Sequence, residues 1–277
     1  MKPVIRKALL LTTALLLALV LLFPIYWMVM TAIMPASEIL ARDPRLLPDL
    51  NQISLSAFFD VFDRRPFFTW ICNSLLVSCI STGLSLAAAA LGGYSLSRWR
   101  YGLQQLTGAS LLLSKLVPTS LIIIPLFILF NVTGLIDTYI GLILANMSVG
   151  VPLATWLMKG FFDRIPKELE QAAMIDGCSQ LQALWHVILP LSRPGLSSCG
   201  VYLLIVSWSE FIFARTLITS DSKQLLTVGI QSFVGEYQVD WATLMAAGTI
   251  SLIPVIILFL ILEPFLVSGM TKGALAN

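Results

Sequence analysis

The sequence predicts an all-α polytopic membrane protein with about six transmembrane helices and a helix-turn-helix elbow after the fourth. Three observations carry this. Hydrophobic residues make up 57% of the 277 and charged residues 12%, about half the share of a soluble domain. The apolar residues gather in runs long enough to cross a bilayer, and mean hydropathy is +0.89. Basic residues concentrate in alternate connections.

Lys2, Arg6 and Lys7 precede an uncharged run from Ala8 to Ser37. A basic start before an apolar core has the form of a signal peptide, but this run far exceeds a signal core of about 7–15 residues. It reads as a retained first span, Ala8–Ile33. Met34–Pro66 is polar and mixed, with Pro35, Asp43, Pro44, Pro48, Asp49, Asp60 and Asp63, and is expected to be an irregular external loop. A second span runs Phe67–Leu96 and ends at Arg98-Trp99-Arg100. A third, Gln104–Phe130, carries Pro118 and Pro125, which predict kinks. Asn131–Asp137 is a short external turn, and Tyr139–Leu157 a fourth span. Beyond the elbow come a fifth span, Pro194–Ala214, an external loop, Arg215–Asp240, a sixth span, Trp241–Leu262, and a tail, Val267–Asn277.

The elbow, Ile165–Pro190, is polar enough to stand outside the membrane. Pro166 suits a first helical position, and Ile165, Leu169, Ala172 and Ala173 share one face. Lys167, Glu168, Glu170 and Gln171 fall on the other side. Gly177 fits the left-handed residue that ends a helix. Ser179 with Gln182 is a capping-box signature for a second helix, which places Leu181, Leu184, Trp185 and Ile188 on one stripe until Pro190 stops it. Small alanines on a short helix let another surface approach closely.

Charge sets the topology. Lys2, Arg6, Lys7, Arg98, Arg100, Lys159, Arg164, Lys167, Arg193 and Lys272 fall on one side. Arg42, Arg45, Arg64, Arg65, Arg215 and Lys223 fall on the other, mostly among acids. The positive-inside rule then puts both termini and the elbow in the cytoplasm.

Several chemistries are disfavoured. A net charge of +2 is too small to suggest nucleic acid, which leaves membrane lipid as the surroundings that composition implies. Cys72, Cys79, Cys178 and Cys199 have no metal or redox spacing, and the single histidine, His186, has no triad around it. No metal site and no catalytic residue are expected. Ser114 beside Lys115 suggests a Ser–Lys pair, but neighbours on a helix point about 100° apart. There is no G-x-x-x-x-G-K-[ST] loop, so the chain should bind no ATP or other cofactor itself. Lys115 lies roughly 16 Å and Glu210 roughly 24 Å along their spans, counted on straight helices. Intramembrane charge is costly enough that both should face the bundle or an aqueous path. Lys115 therefore reads either as a structural partner or, with Trp208 and Glu210, as a lining of the translocation path. A Lys115–Glu210 coupling pair would instead suit an ion-driven secondary carrier, though the chain shows no internal repeat.

Gln171-Ala172-Ala173, Asp176-Gly177, Val187 and Leu189-Pro190 resemble the EAA loop of the permease subunits of bacterial ABC importers, E-A-A-x-x-x-G, nine residues, I-x-L-P. Gln171 stands where that pattern has Glu, with Glu170 beside it. Trp208-Ser209-Glu210-Phe211 with Ala214, Leu226 to Ile230, Asn73-Ser74-Leu75, Ile124-Pro125-Leu126-Phe127 and Gly269 to Ala274 resemble the MalG-like carbohydrate branch. The resemblance implies the type I importer permease fold over residues 1–277. Residues 1–66 would form the first span and external loop, and 67–277 a five-helix core with its EAA loop near 163–193. It further implies a bacterial inner-membrane subunit that forms half of a pathway for a sugar-like solute, or alternatively a non-sugar small solute. Implied partners are a second permease, a dimer of ATPase subunits that hold ATP and Mg, and an extracytoplasmic solute-binding protein. Glu170, Gln171, Ala172, Ala173, Asp176 and Gly177 would make the ATPase coupling site.

Overall fold

Lipid offers the backbone no hydrogen-bond partner, so apolar runs of this length fold as helices. The computed structural model describes residues 3–39, 47, 49, 51–99, 102–235 and 239–274. The expectations for Lys2, Arg42, Asp43, Pro44, Arg45, Pro48 and Arg100, and for the side chain of Lys272, lie outside the described residues. In order the helices are α1 (Pro3–Ile33), α2 (Ala36–Ile39), α3 (Ser56–Asp63), α4 (Phe67–Arg98), α5 (Gly102–Leu113), α6 (Thr119–Val132) and α7 (Tyr139–Phe162). There follow α8 (Lys167–Ile175), α9 (Gln180–Ala183), α10 (Leu189–Leu191), α11 (Arg193–Trp208), α12 (Ile212–Leu217), α13 (Leu226–Ile230) and α14 (Trp241–Ala274). Among the described residues, four helices are long and apolar enough to cross a membrane, or up to six if each of two bent pairs counts as one span.

The chain divides into two units, Met1–Phe68 with Gly229–Pro254, and Thr69–Val228 with Val255–Asn277. In the first, α1 exposes Leu11, Leu17, Val20 and Leu21, as a helix set in lipid does. The connection after α1 is less irregular than expected. The i, i+4 spacing in α3 buries Ala57 and Val61 on one face, and Phe62 meets Phe67 edge-on. Arg64 ties α3 to the start of α14 through Asp60 and Asp240, at 2.8 and 3.2 Å.

In the second unit α7 is the centre, packing on α5, α6, α11 and α12. Gly93 lets α4 lie against it: a Cβ there would stand 2.8 Å from the Lys159 nitrogen, so only glycine fits. One core gathers Val77, Phe130, Leu142, Phe213 and Leu217, and another Tyr94, Met158, Phe162, Leu184, Ile188 and Leu203.

Three expectations change. The third span is not one kinked helix: its halves meet at 105°. Pro118 drives Val117 to an extended ψ of 119°, so the helix must end before it and restart at Thr119. The straight-helix depth for Lys115 therefore does not apply. The fifth span ends at Trp208, and Glu210 lies between it and the separate short helix α12. Arg215–Asp240, expected as an external loop, carries short helices and buries Leu217, Leu225, Leu226 and Val228.

Candidate functional site

The elbow is built as its residues dictate. Pro166 caps α8. At the other end Asp176 is the C-cap and Gly177 has φ +94°. The Gly177 amide donates to Met174 (3.1 Å) and the Cys178 amide to Ala173 (3.0 Å), the two bonds of a Schellman motif. Ser179 and Gln182 form the capping box reciprocally, at 2.7 and 3.3 Å. Pro190 does not stop the second helix. A π turn over Leu184–Ile188 opens the ladder ahead of the proline ring, α10 continues to Leu191, and the axis turns 80° into α11 at Ser192.

The inner face of the elbow is fixed by charge. Glu170, expected on the polar outer side, is buried: its Oε2 takes a 2.6 Å bond from Arg98 Nε, with the side chains 5% and 6% exposed. Tyr94 donates its hydroxyl to the other carboxylate oxygen. Arg98 Nη1 also donates to the Phe162 carbonyl (3.1 Å) and Ser97 Oγ (3.0 Å), and Nη2 to the Ile165 carbonyl (3.4 Å). Ser97 Oγ donates to Asp163, which pairs with Lys159 at 2.6 Å. One network thus joins the ends of α4 and α7 to α8. Every nitrogen of the guanidinium has a partner, which is what makes a buried ion pair tolerable. Nothing in the local pattern around Glu170 signalled this, because its partner lies 72 residues away.

The outer face carries much exposed apolar surface. Ala173 turns inward with Glu170, whereas Gln171, Ala172, Asp176 and Gly177 are exposed. With them stand Leu169, Ile175 (86% exposed), Leu181 (61%) and Trp185 (66%). The expected stripe on the second helix therefore splits: Leu184 and Ile188 pack inward, while Leu181 and Trp185 point out. A small cavity of about 140 Å³ opens between Arg98, Gln171, Met174 and Gln180.

The three intramembrane candidates do separate things. Lys115, half-buried just before the Pro118 break, donates its Nζ to the Val149 carbonyl, next to the Pro152 interruption of α7. Glu210 caps α12 by accepting from the Phe213 and Ala214 amides at 2.7 and 3.0 Å. Trp208 is 9% exposed and lines an apolar cavity of about 190 Å³ with Leu204, Ile205, Ile256 and Phe259. Lys115 and Glu210 make no ion pair with each other among the described residues.

At the opposite end of α7 sits a cluster that sequence reading missed. Asp137, at φ +56°, accepts from the Thr219 and Ser220 amides at 3.0 and 2.9 Å, from the Ser220 hydroxyl, and from Lys223 at 3.0 Å. The Ser220 bonds above all hold its carboxyl well below the usual carboxylate range. Asn73 donates to the Ser222 and Gln224 carbonyls and accepts from Tyr139, while Ser74 Oγ accepts from the Leu226 amide. A polar pair opening an apolar helix was the available signal; its partners were too distant to infer.

Residues 83–272 match the family described as binding-protein-dependent transport system inner membrane component. The chain is 34% identical over 254 residues to the inner membrane ABC transporter permease protein YcjP of Escherichia coli, covering 91% of this chain and 90% of that one. It is 32% identical to the diacetylchitobiose uptake system permease protein DasC of Streptomyces coelicolor, covering 95% and 94%. It is 31% identical to the trehalose/maltose transport system permease protein MalG of Thermococcus litoralis, covering 99% and 98%. Among solved structures, a bacterial ABC transporter that imports the acidic polysaccharide alginate shares the fold, with TM-score 0.79 at 24% identity over 95% of this chain and 98% of that one.

Proposed function

The chain belongs to the family of binding-protein-dependent transport system inner membrane components, and on that premise we propose that it forms half of an importer pathway for a sugar. As a permease subunit of an ABC importer it is a non-catalytic, multi-pass inner-membrane protein. The names of the diacetylchitobiose and trehalose/maltose relatives support the sugar class. A second permease completes the pathway, two cytosolic ATPase subunits bind ATP and Mg, and an extracytoplasmic binding protein delivers the solute. The elbow faces the cytoplasm by the positive-inside rule, as do both termini.

The observation that carries the coupling reading is the two-sidedness of the elbow. Its outer face presents Leu169, Ala172, Ile175, Leu181 and Trp185, enough exposed apolar surface to mark a protein contact. Its inner face is locked to α4 and α7 through Glu170 and Arg98. A push on the outer face therefore reaches the spans as a rigid movement. The solute moves through a pathway that opens to alternate sides, driven by ATPase closure. The absence of a Lys115–Glu210 contact removes the observation that spoke for an ion-driven carrier. Uptake in cells lacking only this subunit tests the reading: ATP-dependent sugar uptake should cease, and its persistence would refute the assignment.

A further inference from the structure

Beyond the fifth span, α12 is a short helix that the protein fixes at both ends. Glu210 accepts from the Phe213 and Ala214 amides, and its backbone carbonyl accepts from Thr227 Oγ1 at 2.7 Å. At the far end the Asp137 amide donates to the Leu217 carbonyl at 2.8 Å. Phe213, Ala214 and Leu217 turn into the core and are fully buried. The side left open is therefore held rigidly. It exposes Ser209, Ile212 and Arg215, with Thr216 half-buried beside them. Neighbouring α6 exposes Leu121, Ile124, Ile128 and Val132, a surface suited to lipid or another span. The open side of α12 instead offers a cation and two hydroxyls around one isoleucine. Ser209 donates its hydroxyl to the Ile205 carbonyl (2.6 Å) and Thr216 to the Ile212 carbonyl (2.8 Å), which leaves each oxygen free to accept. The Arg215 guanidinium has no carboxylate, carbonyl or ring partner among the described residues, whereas Lys223 is taken by Asp137 at 3.0 Å. Glu210, the acid nearest in the chain, spends both oxygens on the α12 amides. A charge without a partner is costly against lipid and is kept where water reaches it.

We propose that this side of α12 faces the solute pathway and that Arg215 selects a sugar carrying a negative group, such as a carboxylate, over its neutral counterpart. This rests on the importer reading above and narrows its substrate class. The planar guanidinium fork matches an oxyanion with two parallel N–H donors, which a neutral hydroxyl cannot fill equally well. The Ser209 and Thr216 oxygens accept from ring hydroxyls, and Ile212 meets the apolar C–H face of the ring.

The test is saturation-transfer NMR on the intact transporter in lipid nanodiscs, without the binding protein, so that the membrane subunits alone choose. The probes are disaccharides ending in glucuronate or galacturonate, each beside its twin ending in the neutral sugar. The wild type should bind at least one uronate about tenfold more tightly than its twin, the worth of one charge-assisted hydrogen-bonded pair. Arg215→Gln should erase that preference at unchanged melting temperature, because the side chain holds nothing within the protein. Arg215→Lys, which keeps the charge but loses the fork, should retain part of it. Equal binding of acidic and neutral twins by the wild type would overturn the proposal. So would a preference that survives in Arg215→Gln, and an earlier melt with the preference intact would make Arg215 a structural residue of α12. Sugars bound without regard to charge sink this proposal and leave the sugar-importer reading standing; a transporter that binds none of them counts against both.

Discussion

Glu170 on the elbow and Arg98 at the end of α4 meet as a buried ion pair at 2.6 Å, and both are further held by Tyr94, Ser97 and two backbone carbonyls. Removing one member strands the other charge in the interior, a change worth about 3–5 kcal/mol. Arg98→Met should therefore release α8 from the spans and uncouple ATP hydrolysis from uptake. Hydrogen exchange across 165–180 should rise while the spans remain protected. Combining Arg98→Met with Glu170→Met should be milder than either change alone, because no unpaired charge remains. A double variant as damaged as the sum would show that the pair contributes in some other way.

Gly177 gives a second test. With φ at +94° and no atom within 4 Å of the place a Cβ would occupy, the constraint there is backbone conformation and not space. Gly177→Val should cost upwards of about 1–2 kcal/mol locally and loosen the turn. Gly177→Asn should cost less, since Asn tolerates left-handed backbone. The measurement is copurification of the ATPase subunits with each variant, alongside uptake. Retention of the ATPase and normal uptake by the valine variant would separate this turn from coupling.

What was legible in the sequence is local. Gly177 and the Ser179–Gln182 box depend on neighbours within a few residues, and each took the form its chemistry dictates; Pro118 marked its place in the chain as a kink, not as the full break. Long-range polar pairing was not legible. Glu170 looked like an outward residue because helical periodicity records polarity, and a buried charge with a distant guanidinium is as polar as a solvated one. The reverse holds for Leu181 and Trp185, read on one stripe with Leu184 and Ile188 although they point out. Membrane depth failed for a different reason: the 105° bend invalidates counting residues along a straight axis.

Asp137 should make the far end of α7 sensitive to acid. Its carboxyl is held below the ordinary range by Ser220, so its contribution is present above the unfolded carboxylate value of about 3.9 and lost as pH falls through the folded value. Protection of the 217–224 backbone from hydrogen exchange, corrected for the intrinsic pH dependence, should hold between about pH 5 and 7 and decline below about pH 4. In Asp137→Asn that decline should largely vanish, with lower protection throughout. An identical acid profile in the variant would assign the effect to another group.

Lys115 is where the structure most changes what a substitution should do. Its ammonium reaches the Val149 carbonyl, one residue past the Ser148 carbonyl that Pro152 leaves without its ladder donor in α7. An ammonium held by a backbone carbonyl is satisfied inside the protein instead of facing lipid. Lys115→Met keeps an unbranched chain but leaves the carbonyl without its charged donor, a loss of about 1.5–3 kcal/mol. The expected result is a complex that assembles but unfolds at lower temperature, with uptake reduced in proportion across different sugars. Lys115→Arg, which keeps a donor of similar reach, should restore much of the stability. A change in which sugar is preferred, at unchanged thermal stability, would instead make Lys115 part of the pathway lining.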